Sequence, residues 1–269
     1  MIKKIIGKFF NYQTDPSFYD LDKVSVEVSE RDNIRSLHIG NDTIQSSMNL
    51  DDPFGLQLNY TKVMALVLIF KANPEDVLFV GLGGASLQKF FYKYCEKTTF
   101  KTLEIHPHVI QVAKSFFHCP EDKRMEIINT DGVAYLNDHN DSYDLIISDA
   151  FDESGLPDIF RSDDYYQLCF ERLKRKGIFL INFWGSDLKT KTYIKKIKKI
   201  FDNRVLFAAA DNPGNIIVMA FKEEPKDLMI NSLKEKVLAI EKMTSENLMI
   251  FFNRLIDSAD SKQGYRINF

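Results

Sequence analysis

Between Asp76 and Lys222 short apolar runs alternate with amphipathic stretches at nearly even spacing, and this rhythm restricts the fold more than any other feature of the chain. "DVLFVGLGG", "FKTLEIH", "RMEIINTD", "YDLIISDAF" and "GIFLINFW" read as buried strands. The segments between them, "SLQKFFYKYC", "PHVIQVAKSFF", "GVAYLNDH" and "SDDYYQLCFERLK", place apolar residues three and four apart, as one helix face requires. Proline near the start of the second helix, and Ser162 followed by acids at the start of the fourth, are helix-opening signals. A helix over "KTYIKKIKKIF" and a hairpin of "RVLFAAA" with "NIIVMAFK" close the series. Strands alternating with helices in this way predict an α/β fold, a Rossmann-like, doubly wound and mostly parallel sheet. Before it, "KVSVEVSE", "IRSLHIGN" and "TIQSSMNL", separated by turn signals, predict a small antiparallel β domain over residues 1–54. A helical pattern from Gly55 to Phe70 leads into the main domain, 55–224, and 225–269 reads as a C-terminal extension of two charged amphipathic helices.

Composition narrows the function classes. The formal net charge of -3 offers no basic excess for a nucleic-acid backbone, and the lysine-rich "KTKTYIKKIKK" reads as a solvated helix face. Three scattered cysteines, Cys95, Cys119 and Cys169, make no disulfide framework and no CxxC pair, which fits a reducing cytoplasm. "MIKKIIGKFFNY" lacks the apolar stretch of a signal peptide, and "VMALVLIF" falls short of the ~20 residues that span a bilayer, so neither secretion nor a membrane span is expected. The five histidines lack the second cluster of ligands that a zinc site needs, and no metal is expected.

Ligands of doubly wound sheets bind beyond the carboxyl ends of the strands. Those ends carry Gly81-Leu82-Gly83-Gly84, then Glu104, then Asp131-Gly132, then Asp149-Ala150-Phe151-Asp152. Each suits a nucleoside. Glycines let backbone approach closely and present amide donors, an acid in the position of Glu104 accepts bonds from ribose hydroxyls, and Asp131 can take an adenine amino group. The plain alternative is a tight turn and a set of helix caps. "GLGGAS" misses the GxGxxG pattern at Ser86, which disfavours a dinucleotide, and carboxylates on the fourth strand end suit a cation such as a sulfonium or a protonated amine.

In this order of motifs the chain resembles the spermidine synthase family of aminopropyltransferases, most strongly from Val77 to Phe160. The family's fourth strand end reads close to "DVIITDSSDPxGPAxxLF"; here it is "DLIISDAFDESGLPDIF". The resemblance implies a methyltransferase-type nucleotide domain behind an N-terminal β domain. It also implies transfer of an aminopropyl group from decarboxylated S-adenosylmethionine, a co-substrate rather than a bound cofactor, to an amine. By the same resemblance Asp149 is the general base and Asp152 holds the ammonium of the aminopropyl arm. Glu104 binds ribose, Asp131 and Gly132 contact adenine, Gly81, Gly83 and Gly84 form the nucleoside turn, and Gln45 lies near the ligand. Tyr165 is a candidate for the substrate channel, with Tyr166 as its alternative, and Trp184 either lines the pocket or packs in the core. The family commonly forms dimers or tetramers, so a homodimer is expected. The glycine loop departs from the family's GGGDGG, with Ala85 or Leu82 where an acid is expected; Asn212 replaces an aromatic before the late proline. Two alternatives follow: methylation of a small molecule by ordinary S-adenosylmethionine, and a nucleoside-binding homologue without turnover.

Overall fold

The computed structural model describes residues 4–5, 24–151, 155–212, 214–259 and 265–269. The first sheet is antiparallel, in the order β1 (Lys4–Ile5), β2 (Val26–Arg31), β3 (Ile34–Ile39) and β4 (Ile44–Asn49). Asp32 and Asn33 close the β2–β3 hairpin with φ of 51° and 63°, the left-handed values that a two-residue turn between twisted strands requires.

The second sheet has seven strands: β5 (Asp76–Val80), β6 (Thr99–Glu104), β7 (Met125–Asn129), β8 (Tyr143–Ser148), β9 (Leu173–Trp184), β10 (Val205–Ala209) and β11 (Asn215–Phe221), in the order β10-β11-β9-β8-β5-β6-β7. Strands β5 to β9 pair in parallel, and the β10–β11 hairpin adds antiparallel to β9. The Rossmann-like architecture read from the alternation is the one observed. Successive residues of β5 feed opposite cores: Val77 and Phe79 join one buried cluster, Leu78 and Val80 the other. Such two-sided burial explains why the strands read as unbroken apolar runs.

The helices are α1 (Asn59–Ala65), α2 (Ser86–Tyr94), α3 (Pro107–Phe116), α4 (Gly132–Asp138), α5 (Asp163–Arg172), α6 (Thr190–Ile200), α7 (Ile230–Thr244) and α8 (Met249–Asp257). α1, α2, α7 and α8 contribute to the first core, and α4, α5 and α6 to the second. A third cluster joins Val26, Val28 and Leu37 of the first sheet to Val109 and Val112 of α3, seating the N-terminal sheet on the main one. The leading helical pattern is shorter than its periodicity predicts. α1 ends at Ala65 and Leu66–Ile69 continue as a 3-10 turn, where the run Leu-Val-Leu-Ile is buried on every side and gives the chain no single inward face to follow. Among the described residues no helix is long and apolar enough to cross a membrane, and all three cysteines are free and buried.

β5 lies between β6 and β8, so chain order reverses direction across the sheet at β5. This switch point is where open α/β sheets leave a crevice.

Candidate active site

A cleft of about 470 Å³ opens at the carboxyl ends of the central strands, and it gathers Gln45, Gly81, Gly83, Glu104, Asp131, Gly132 and Asp149. Gly81 brings two of these ends together. Its φ is +100°, and a Cβ there would stand 2.2 Å from the carbonyl oxygen of Asp149, so only glycine lets β5 turn this close to β8.

The turn does not offer its amides to a ligand as the sequence suggests. Gly81 N–H donates to Leu103 O at 2.9 Å, Leu82 N–H to Glu104 Oε2 at 2.9 Å, and Gly84 N–H to Ser46 Oγ at 2.9 Å. The Gly83 amide also bonds Glu104. A turn with these donors spent internally is a poor cradle for a pyrophosphate and a good seat for an uncharged nucleoside. Gly84 itself does not line the cleft. Its amide is held by Ser46, and a Cβ would meet Phe117 and Ser46 at 2.9 Å, so the residue serves close packing of the turn against β4 and α3. Nor can its neighbours stand in for an acid, since Leu82 and Ala85 are both buried in the third core cluster.

Glu104 is buried at the end of β6, its Oε1 accepting from His106 N–H and its Oε2 from Leu82 N–H, each at 2.9 Å. Burial raises its pKa above the usual carboxylate value, and the backbone donors offset that only in part. Its carboxylate is thus fixed in orientation at the cleft wall. Asp131 unites the two roles weighed for it: Oδ1 caps α4 by accepting from Val133 N–H at 2.9 Å and Ala134 N–H at 2.8 Å, while the residue also lines the cleft. Gln45, at the start of β4, lines the cleft with its side-chain nitrogen buried and without an acceptor among the described residues.

Asp149 ends β8. Asn182 on β9 donates to its Oδ1 at 2.9 Å, and Asn215 on β11 donates in turn to Asn182 Oδ1 at 2.9 Å. The Tyr60 hydroxyl, on α1, lies between Asp149 and the Gln45 carbonyl oxygen, which is 3.5 Å away; the carboxylate is the stronger acceptor of the two. Burial raises the Asp149 pKa, and the bonds from Asn182 and Tyr60 moderate the rise; burial and the adjacent Asp149 charge push the Tyr60 phenol up in turn. The result is a carboxylate held by two neutral donors, with a raised proton affinity.

Tyr165 is not in the cleft. The apolar face of α5 turns Tyr165, Tyr166 and Cys169 into the second core; Tyr165 is fully buried and its hydroxyl donates to Ser148 Oγ at 3.0 Å. The aromatic wall comes instead from Phe151 and Trp184, stacked with centroids 5.5 Å apart. Asp152 and Glu153 lie outside the described residues. Asn59, Tyr60, Asn182 and Asp211 also line the cleft without a sequence motif marking them. Three carboxylates at the opposite, amino ends of the strands, Glu75, Asp76 and Asp144, lie close enough to share a cation, but there Lys174 and Lys71 supply the positive charge.

Comparison with known proteins identifies relatives of this chain and of its fold. Residues 57–213 match the spermine/spermidine synthase domain. A polyamine aminopropyltransferase of Chromobacterium violaceum is 35% identical over 241 residues, covering 89% of this chain and 92% of its own. One from Neisseria meningitidis serogroup A is 38% identical over 213 residues, covering 78% and 81%. The crystal structure of a probable spermidine synthase from Corynebacterium glutamicum superposes with a TM-score of 0.70 at 18% identity, covering 83% of this chain and 91% of that one.

Proposed function

The chain belongs to the spermine/spermidine synthase family, and from that premise we propose that it is an aminopropyltransferase in which Asp149 is the general base. An ammonium has no lone pair, so the acceptor must first lose a proton. Asp149, ionised and held by Asn182 and Tyr60, takes it. The freed lone pair forms a C–N bond to the carbon beside the sulfonium, the C–S bond breaks with its electron pair going to sulfur, and neutral methylthioadenosine leaves. The positive charge moves from sulfur to the new secondary ammonium, and Asp149 returns its proton to solvent.

Decarboxylated S-adenosylmethionine is the donor in this reading. Glu104, fixed at the cleft wall, faces the ribose hydroxyls, Asp131 with Gly132 meets the adenine, and Gln45 donates its amide to the ligand. Asp152 takes the ammonium of the aminopropyl arm. The enzyme works in the cytoplasm as a homodimer, a state that light scattering on the purified protein measures. The observation that carries the reading is the raised, doubly held carboxylate of Asp149 sharing one cleft with Glu104.

One feature favours a second reading, methyl transfer from S-adenosylmethionine: the glycine turn holds no acid for an aminopropyl ammonium, and Gly84 is packed too tightly to have one. Parallel calorimetric titrations with decarboxylated S-adenosylmethionine, S-adenosylmethionine and methylthioadenosine separate the two. Tighter binding of the decarboxylated donor, with methylthioadenosine released when a diamine is added, is the expected result. Tighter binding of S-adenosylmethionine replaces it with methyl transfer, and binding of none of the three defeats both.

A further inference from the structure

We propose that Asp211 selects the acceptor, taking the distal ammonium of a diamine whose other nitrogen stands at Asp149; the inference rests on the aminopropyl-transfer reading. Asp211 follows β10 in the loop to β11, is exposed, and lines the same cleft as Asp149. Its Oδ1 accepts from Asn59 Nδ2 at 2.8 Å. Asn59 and Tyr60 are the first two residues of α1, and Tyr60 bonds Asp149, so one helix end holds both carboxylates toward one cavity.

The partners matter as much as the placement. Asn59 is a neutral amide, which orients the Asp211 carboxylate without cancelling its charge. The loop's flanks are pinned as well. Ala210 N–H donates to Asn215 O at 2.8 Å, Gly185 N–H donates to Gly214 O at 2.9 Å, and Arg254 of α8 bonds the carbonyls of Ala209 and Ala210. The same cleft presents the stacked rings of Phe151 and Trp184, an apolar surface suited to a methylene chain. A negative charge, an apolar wall and a second negative charge describe a diamine. A monoamine of the same length would leave Asp211 without a cation.

The test is steady-state kinetics of the full-length protein at saturating donor, with 1,4-diaminobutane and butylamine as acceptors, for wild type, Asp211→Asn and Asp211→Glu. In Asp211→Asn the KM for the diamine rises about tenfold, as loss of one charge-assisted hydrogen bond implies, with the change falling on KM rather than kcat and the KM for butylamine little moved. Asp211→Glu recovers most of the diamine preference. Melting temperatures of both variants check that the fold is kept. If Asp211→Asn retains the full preference for diamine, or if its defect falls on the KM of the donor, Asp211 does not select the acceptor. Calorimetry of each amine on protein saturated with methylthioadenosine repeats the comparison without turnover. Asp211-dependent diamine binding by a protein that transfers nothing supports the site and defeats the transfer reading, whereas transfer indifferent to Asp211 defeats the inference alone.

Discussion

Asp149 is balanced between opposing influences, and that balance can be moved. Burial disfavours its charged form, while the hydrogen bonds from Asn182 and Tyr60 favour it. A general base works only when ionised, so the acidic limb of kcat follows its pKa and lies above the ~4 of an ordinary carboxylate. Removing a donor strips support from the ionised form, so Tyr60→Phe and Asn182→Ala each shift the limb to higher pH and lower kcat near neutrality. A limb that stays in place or moves to lower pH in both variants contradicts the arrangement. Asp149→Asn lowers kcat by about 10²–10⁴ and leaves methylthioadenosine affinity nearly intact; turnover at the wild-type rate would remove Asp149 from the mechanism. As a candidate base Asp149 is legible in the sequence through the likeness of its strand end, "DLIISDAFDESGLPDIF", to that of the family. Its supports are not. Tyr60 reaches Asp149 from a helix before the first parallel strand, and Asn182 meets Asn215 only because a hairpin folds back antiparallel beside β9, a neighbour relation that periodicity does not encode.

Elements are tied together at both ends of the sheet. At the amino ends Asp144 on β8 gathers Lys71 at 2.6 Å, Lys174 of β9 at 3.2 Å, and the backbone N–H groups of Glu75 and Asp76 at 2.8 and 3.2 Å. Burial alone would raise its pKa, but the bond from Lys71, the two amides and Lys174 outweigh it and hold the group at about 2. A pKa depressed on folding contributes stability that is complete above the unfolded value, ~3.9, and is lost as pH falls through the folded one. Wild-type protein should therefore lose this contribution between about pH 4 and pH 2. Asp144→Asn is less stable at neutrality by about 2–3 kcal/mol and lacks that component of the acid dependence, as chemical denaturation across the pH range measures. At the carboxyl ends Gly81→Ala forces a side chain into a φ of +100° and against the Asp149 carbonyl. The cost is about 2–4 kcal/mol, and nucleoside binding weakens with it; an unaltered melting temperature would mean that the turn relaxes freely. The strands themselves were readable, since buried parallel strands are apolar throughout. Helix ends were less so: α5 stops at Arg172 because Leu173 already pairs with Tyr143, although the helical pattern reads on to Lys174.

The whole molecule closes through its C-terminal segment. Leu233 and Val237 of α7, with Leu248, Phe251, Phe252 and Leu255 around α8, are all buried in the same core cluster as Val63 and Met64 of α1 and Leu206 of β10. Polar contacts follow the same path. Glu246 accepts from Leu56 N–H at 2.5 Å and pairs with Lys62 at 3.0 Å, on either side of the helix start that carries Asn59 and Tyr60, and Ser258 accepts from Phe207 N–H of β10 at 3.0 Å. The sequence reveals two amphipathic helices but not what they cover, because an apolar stripe fits the chain's own sheet as well as a partner subunit. Each buried side chain of this size contributes about 1.5–3 kcal/mol, and six of them match or exceed the ~5–15 kcal/mol by which a typical domain is stable. A chain ending at residue 224 is therefore expected to be insoluble or to lack a cooperative melting transition. Glu246→Gln, which keeps the shape and removes the charge facing Lys62, is expected to fold and to lower kcat several-fold through the placement of α1. A soluble, cooperatively melting truncation with wild-type kcat would make the C-terminal helices an appendage, and would leave α1 to be positioned by the sheet alone.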